Sequence, residues 1–273
     1  DLVGFHGQTI YHNPVKKISI QLGDASKLAR LLGKNVVFDF RSQDIAHGGQ
    51  GAPLAPIYHR YILESLNLEL PSCILNIGGV ANLTFWDGKT LIGFDTGPGN
   101  ALMDNYMKKI NNKFFDEDGV LASKGVPNKE IVHKFISHEF FQNSPPKSLD
   151  RNSFIHLYNE LLKNNFSVSD TMATLAEFTI ESIIIALDYL PKKIKNIIIT
   201  GGGSRNKHLM KCLKTRLDVN FVNEVETGLN FDYIESELIA FLSARSFYRL
   251  PFTFPSTTGN SKESSGGKVY SHL

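Results

Sequence analysis

The chain has 273 residues, 42% hydrophobic and 21% charged, a balance that excludes a disordered or membrane-embedded chain and leaves ample length to bury a core. Lys and Arg number 29 against 27 Asp and Glu, so a net charge of +2 offers no global attraction to nucleic acid. Cys73 and Cys212 form no CxxC pair, which argues against a disulfide framework or zinc site and for a reducing, cytoplasmic setting.

No apolar run reaches the length of a membrane span, and the start Asp1-Leu2-Val3-Gly4, without an initiator Met or a signal pattern, reads as cut. Short apolar runs punctuated by glycine or polar turns predict strands near Val3–Phe5, Ile18–Gln21, Val36–Phe40, Cys73–Ile77, Leu83–Trp86 and Leu91–Phe94. Among them the pattern predicts helices over Ala25–Leu32, with Asp24 as N-cap, and Pro56–Leu66. Asp87-Gly88 makes a hairpin turn. Helical patterns dominate after Asn100, over Ala101–Asn111, Asn128–Phe140, Phe154–Lys163 and Ser169–Leu190, the last with Ser169 as N-cap and an apolar stripe that belongs to the core. A buried strand follows at Asn196–Thr200, then helices over Lys207–Leu217 and Tyr233–Tyr248. The tail from Thr253 to Leu273, rich in Ser, Thr and Gly, reads as irregular surface chain. Strands alternating with helices indicate an α/β architecture with ligands at the carboxyl ends of the strands.

Three glycine segments follow strands. In Gly93-Phe94-Asp95-Thr96-Gly97-Pro98-Gly99-Asn100, the glycines allow close approach of a phosphate to the backbone, and the following helix start offers N–H donors. Asp95 is placed to act as a general base or to hold Mg²⁺ through water; equally, the segment reads as a tight turn capped by Asp95. Thr200-Gly201-Gly202-Gly203-Ser204-Arg205-Asn206 suits the flat face and sugar of a nucleotide, although it has neither Walker nor GxGxxG spacing. Gly78 and Gly79 read as a sharp bend or bulge between strands and as a backbone floor for phosphate oxygens, two accounts that are compatible. Polar residues gather at His6, Gln8 and Thr9 and around Arg41, the donors and acceptors that sugar hydroxyls call for, and an arginine also holds a carboxylate in a bidentate pair. Glu235 and Glu237 read equally as a solvated helix face. The other histidines have no metal-ligand spacing and carry no expected catalytic role.

Taken together, His6-Gly7-Gln8-Thr9, Asp39-Phe40-Arg41, Gly48-Gly49-Gln50-Gly51-Ala52-Pro53-Leu54, Asn76-Ile77-Gly78-Gly79-Val80-Ala81-Asn82-Leu83, Phe94-Asp95-Thr96-Gly97-Pro98-Gly99-Asn100 and Gly201-Gly202-Gly203-Ser204-Arg205-Asn206 closely resemble the anhydro-N-acetylmuramic acid kinase family, in order from His6 to about Ala244. The resemblance implies an actin-like ATPase (ribonuclease H-like) two-domain α/β fold. Residues 1–94 would keep part of an N-terminal domain with the sugar-binding segments, and residues 95–273 would form a C-terminal domain with the phosphate and adenosine loops. It also implies ATP and Mg²⁺ as cofactors, the ion held by way of ATP and water, and a small amino sugar as partner. The implied reaction opens the 1,6-anhydro ring with water and phosphorylates O6, with neither nucleic acid nor membrane as partner, and with a homodimer left open.

By the same resemblance Asp95 is the base that activates water against the anomeric carbon. Arg41 and Glu235 hold the sugar, with His6, Gln8 and Thr9 lining its pocket. Gly78, Gly79, Gly97, Gly99 and Asn100 serve the phosphates, and Gly201, Gly202, Gly203 and Asn206 the adenosine. Nothing in the chain matches the family's Gly-Thr-Ser-x-Asp-Gly hairpin over the phosphates, so the first domain is expected to be incomplete. Two alternatives follow: a non-catalytic sugar- or nucleotide-binding remnant, and a hydrolase in which Asp95 activates water without phosphoryl transfer.

Overall fold

A computed structural model describes residues 1–150 and 152–272. Its strands are β1 (Leu2–Gly4), β2 (Gln8–Asn13), β3 (Ile18–Leu22), β4 (Asn35–Phe38), β5 (Ser72–Ile77), β6 (Ala81–Trp86), β7 (Leu91–Gly97), β8 (Asn196–Thr200), β9 (Asn220–Val222) and β10 (Lys268–Tyr270). They form a sheet of order β1-β4-β10, a β2-β3 hairpin, and a five-stranded sheet of order β7-β6-β5-β8-β9. In the large sheet β6 runs antiparallel to β5 and β7, while β8 and β9 are parallel to β5. A three-strand meander continued by two crossover strands is the topology expected of the ribonuclease H-like fold. The sheet is continuous across residue 94, so the expected division at 94/95 falls inside β7.

Alternation along the strands explains why this sheet is covered on both faces. Cys73, Leu75 and Ile77 point to a core with Leu83, Phe94, Ile197, Ile199 and Phe178. Ile74, Trp86, Leu91 and Ile198 point the opposite way, onto Tyr58, Ile62, Leu63 and Ile234. The helix Ala25–Leu32 has the expected bounds, because Asp24 accepts from Lys27 N–H. The hairpin between β6 and β7 also forms where expected, with Asp87 Oδ1 accepting from Lys89 and Thr90 N–H.

Four expectations need correction. The long helix runs Val168–Asp188 with Ser167 as its N-cap, not Ser169, since it is the Ser167 side chain that accepts from Asp170 N–H. The helix expected over Asn128–Phe140 stops at Ile136 and restarts at Glu139, where the His138 ring accepts from Phe140 N–H. The strand expected to reach Phe40 ends at Phe38, because Asp39 turns to a left-handed φ of 57°. The tail is ordered rather than irregular: Lys268–Tyr270 pairs with β4, Pro255–Thr258 forms a helical turn, and Thr253, Thr258 and Asn260 are buried. Its last residue, Leu273, lies outside the described residues. The strands β2 and β9 and the short helix Ser42–Ala46 are additional to the expected elements. No helix among the described residues is long and apolar enough to cross a membrane.

Candidate active site

A cleft of about 1090 Å³ opens over the carboxyl ends of β5, β7 and β8, and is lined among others by His6, Thr9, Arg41, Asp95, Gly201, Gly202 and Glu235. Strand β1 and the turn after it deliver His6. The turn after β4 delivers Arg41, and the first turn of the helix Ile234–Phe247 delivers Glu235. These positions are brought together from opposite ends of the chain.

Asp95 is 7% exposed at the end of β7. Its Oδ2 accepts from Leu149 N–H at 2.7 Å, and its own N–H donates to Lys147 O at 3.0 Å, so the segment 147–149 clasps the strand end. Burial pushes the carboxyl up to about 7, against the opposing effects of the Leu149 hydrogen bond and the Arg41 charge. A carboxyl with that pKa exchanges a proton with water near neutrality.

Arg41 faces it. Its Nε donates to His6 Nε2 at 3.2 Å and its Nη1 to Gly51 O at 2.6 Å. Burial lowers the guanidinium to about 10, while Asp95 and Asp44 act in the opposite sense, and the group stays charged. Because His6 Nε2 accepts from Arg41, its Nδ1 carries the hydrogen and donates to Gly7 O at 2.8 Å. Burial and then the Arg41 charge lower the His6 pKa, which keeps the ring neutral. Thr9 Oγ1 accepts from Gln21 Nε2 at 3.3 Å. Gln8 is exposed on β2 opposite Leu22 and is not among the residues lining the cleft.

The glycine segments interlock beneath the cleft. Asn100 N–H donates to Gly78 O at 2.8 Å, Ala101 N–H to Gly79 O at 3.1 Å, and Asn100 Nδ2 to Ile77 O at 3.1 Å. The amides of Asn100 and Ala101 at this helix start are therefore occupied by backbone carbonyls. Gly99 has φ +52°, and a Cβ there would lie 2.3 Å from Gly78 O. Gly97 and Gly203 are equally closed, by Ser182 and Ile77. Asn206 caps the helix Lys207–Arg216 by accepting from Leu209 N–H. Gly78, Gly79, Gly97, Gly99, Asn100, Gly203 and Asn206 thus shape the floor without lining the cleft, whereas Gly201 and Gly202 reach it. A Cβ on Gly202 would meet only Asn100 Nδ2, at 3.7 Å, which leaves room for a flat ligand against the backbone.

The structure adds residues that the sequence reading left unassigned. Asn76, Asn82, Thr200 and His12 line the cleft. Asp44, 1% exposed, accepts from Gly51 N–H at 2.7 Å, Thr258 Oγ1 at 2.6 Å and Asn260 Nδ2 at 2.7 Å. Asn76, Asn82 and Thr200 stand in or beside the glycine segments that the sequence singles out, as polar members of their strands.

Residues 1–272 match the profile of the anhydro-N-acetylmuramic acid kinase family. A protein of that name from Methylobacterium nodulans is 43% identical over 98% of this chain and 71% of its own length. Another from Rhodopseudomonas palustris is 44% identical over 98% of this chain and 72% of its own. Among solved structures, the activator of 2-hydroxyisocaproyl-CoA dehydratase from Clostridium difficile with bound ADPNP has a TM-score of 0.41 at 15% identity, covering 66% of each chain.

Proposed function

Since this chain belongs to the anhydro-N-acetylmuramic acid kinase family, we propose that its cleft opens the anhydro ring of 1,6-anhydro-N-acetylmuramic acid with water and transfers the γ-phosphoryl group of ATP to O6. The product is N-acetylmuramic acid 6-phosphate, which places the enzyme in peptidoglycan recycling in the cytoplasm. The observation that carries this reading is Asp95, a buried carboxyl poised near neutrality at a strand end, in one cleft with the Arg41 guanidinium and the glycines Gly201 and Gly202, of which Gly202 has open space before it.

Asp95 takes the proton of a water as that water bonds to the anomeric carbon. The C1–O6 bond breaks with its electron pair on O6, which becomes the phosphoryl acceptor. The Leu149 N–H on Oδ2 leaves the other carboxylate oxygen for this transfer and fixes its direction. Arg41, tied at Nε and Nη1, has its remaining N–H groups for the sugar's carboxylate, and Glu235 and Thr9 supply partners for hydroxyls. Gly202, beside Gly201 in the cleft lining, fits a nucleotide, whose flat base and ribose need backbone free of side chains. No group of three or more His, Cys, Asp or Glu side chains that could hold a metal ion occurs among the described residues; in this reading Mg²⁺ comes with the nucleotide phosphates and water. When bound, ATP supplies the phosphoryl group and Mg²⁺ offsets its charge.

The test is incubation of the protein with ATP, Mg²⁺ and the anhydro sugar, with sugar phosphate read by mass spectrometry. A folded preparation that forms none would overturn the reading.

A further inference from the structure

Asn82 stands directly opposite Asp95 in the antiparallel ladder of β6 and β7. On its other side it pairs with Asn76 of β5, which is level with Thr200 of β8. Residues opposite one another across a ladder share a face of the sheet, so Asp95, Asn82, Asn76 and Thr200 make one polar row, and all four line the cleft. Within the row, Thr200 Oγ1 donates to Asn76 Oδ1 at 3.4 Å, and Asp95 Oδ2 is taken by Leu149. Asn82 Oδ1 is buried yet has no hydrogen-bond partner among the described residues.

A buried amide oxygen without a donor is unfavourable, and the group that relieves it must bring an O–H or N–H. An ionised phosphate accepts only and does not qualify. A sugar hydroxyl has one hydrogen and can serve Asp95 or Asn82, whereas a water has two and can serve both. Directly opposed side chains have Cβ atoms about 4.5–5.5 Å apart, a separation one water bridges.

We propose that Asn82 is a catalytic residue whose Oδ1 accepts one hydrogen of the water that Asp95 deprotonates, holding the water's lone pair toward the anomeric carbon. This rests on the ring-opening reading above. In the step, one O–H bond of the water breaks and its proton passes to Asp95. The oxygen bonds to the anomeric carbon, and the C1–O6 pair stays on O6. The O–H held by Asn82 survives as the new anomeric hydroxyl, and Asn82 itself is unchanged.

The test compares Asn82→Val with Asn82→Thr, two β-branched side chains of one shape that suit a strand and differ by one acceptor oxygen. Asn82→Val is expected to lose about 10²-fold in kcat with KM for sugar and ATP within about threefold of the unsubstituted protein. Asn82→Thr is expected to turn over several-fold faster than Asn82→Val. Asn82→Ala reports the same loss should valine disturb the sheet. No sugar phosphate from the unsubstituted protein would overturn the ring-opening reading and this proposal together. If the unsubstituted protein is active, three results overturn the role of Asn82 alone: kcat of Asn82→Val and Asn82→Ala within about threefold of it, equal rates for valine and threonine, or a change confined to KM for ATP.

Discussion

The floor of the cleft and the wall around Arg41 are built by different physics. The floor, from Gly78–Gly79, Gly97–Asn100 and Gly201–Gly203, is backbone locked on backbone, with Asn100 and Ala101 N–H bonded to Gly78 and Gly79 carbonyls and no space for a Cβ at Gly99. The wall is a relay of polar side chains: Asp44 holds Gly51, whose carbonyl holds Arg41, whose Nε holds His6. The floor fails when an atom is added, and the wall fails when a hydrogen bond is removed. Asp95 belongs to both, since its strand ends in the floor and its charge faces Arg41.

The largest effect is expected where the two meet. Asp95→Asn should lower kcat by about 10²–10⁴-fold while leaving ATP affinity, read by calorimetry, nearly intact. The unsubstituted enzyme should lose activity as pH falls through about 7, where Asp95 takes up a proton, and that acid limb should be absent from the residual rate of the variant. The stability effect has the opposite sign. The folded pKa of about 7 lies above the ordinary 3.8, so this carboxyl's contribution is present below the unfolded pKa and is lost as pH rises to the folded one. Asp95→Asn should therefore raise the thermal midpoint at pH 8 and change it little near pH 3.

Gly99→Ala should break the floor alone. A left-handed φ of +52° and a Cβ 2.3 Å from Gly78 O should cost about 1–3 kcal/mol of stability, with ATP affinity weakened more than sugar affinity. Arg41→Lys should break the wall alone. Lysine cannot make the fork to Gly51 and His6 together, and an increase of about tenfold in KM for the sugar, with KM for ATP unchanged, corresponds to losing one charged hydrogen bond. Equal changes in both KM values for either variant would dissolve the distinction between floor and wall.

Much of the large sheet was legible because β5, β6, β7 and β8 are apolar runs with a local turn at Asp87-Gly88, and the Asp24 cap is read from its own neighbourhood. The tail was not, since its burial comes from Thr258 and Asn260 bonding to Asp44, partners 214 and 216 positions away. Ser167 and Ser169 both suit an N-cap by type, and only the backbone geometry chooses Ser167. At the site, the motifs marked Asp95, Arg41 and the glycines, but not that the Asn100 and Ala101 amides are already bonded. They included Asn82 but could give it no role, because that lies in its register against Asp95.

The most direct test of the central claim follows the oxygen of water. With ATP, Mg²⁺ and the anhydro sugar in ¹⁸O-labelled water, product read at early times should carry one labelled oxygen in the sugar phosphate, at the anomeric hydroxyl, with none in inorganic phosphate. Label in inorganic phosphate and an unlabelled sugar would mean that the water Asp95 activates attacks ATP instead, and would contradict the account.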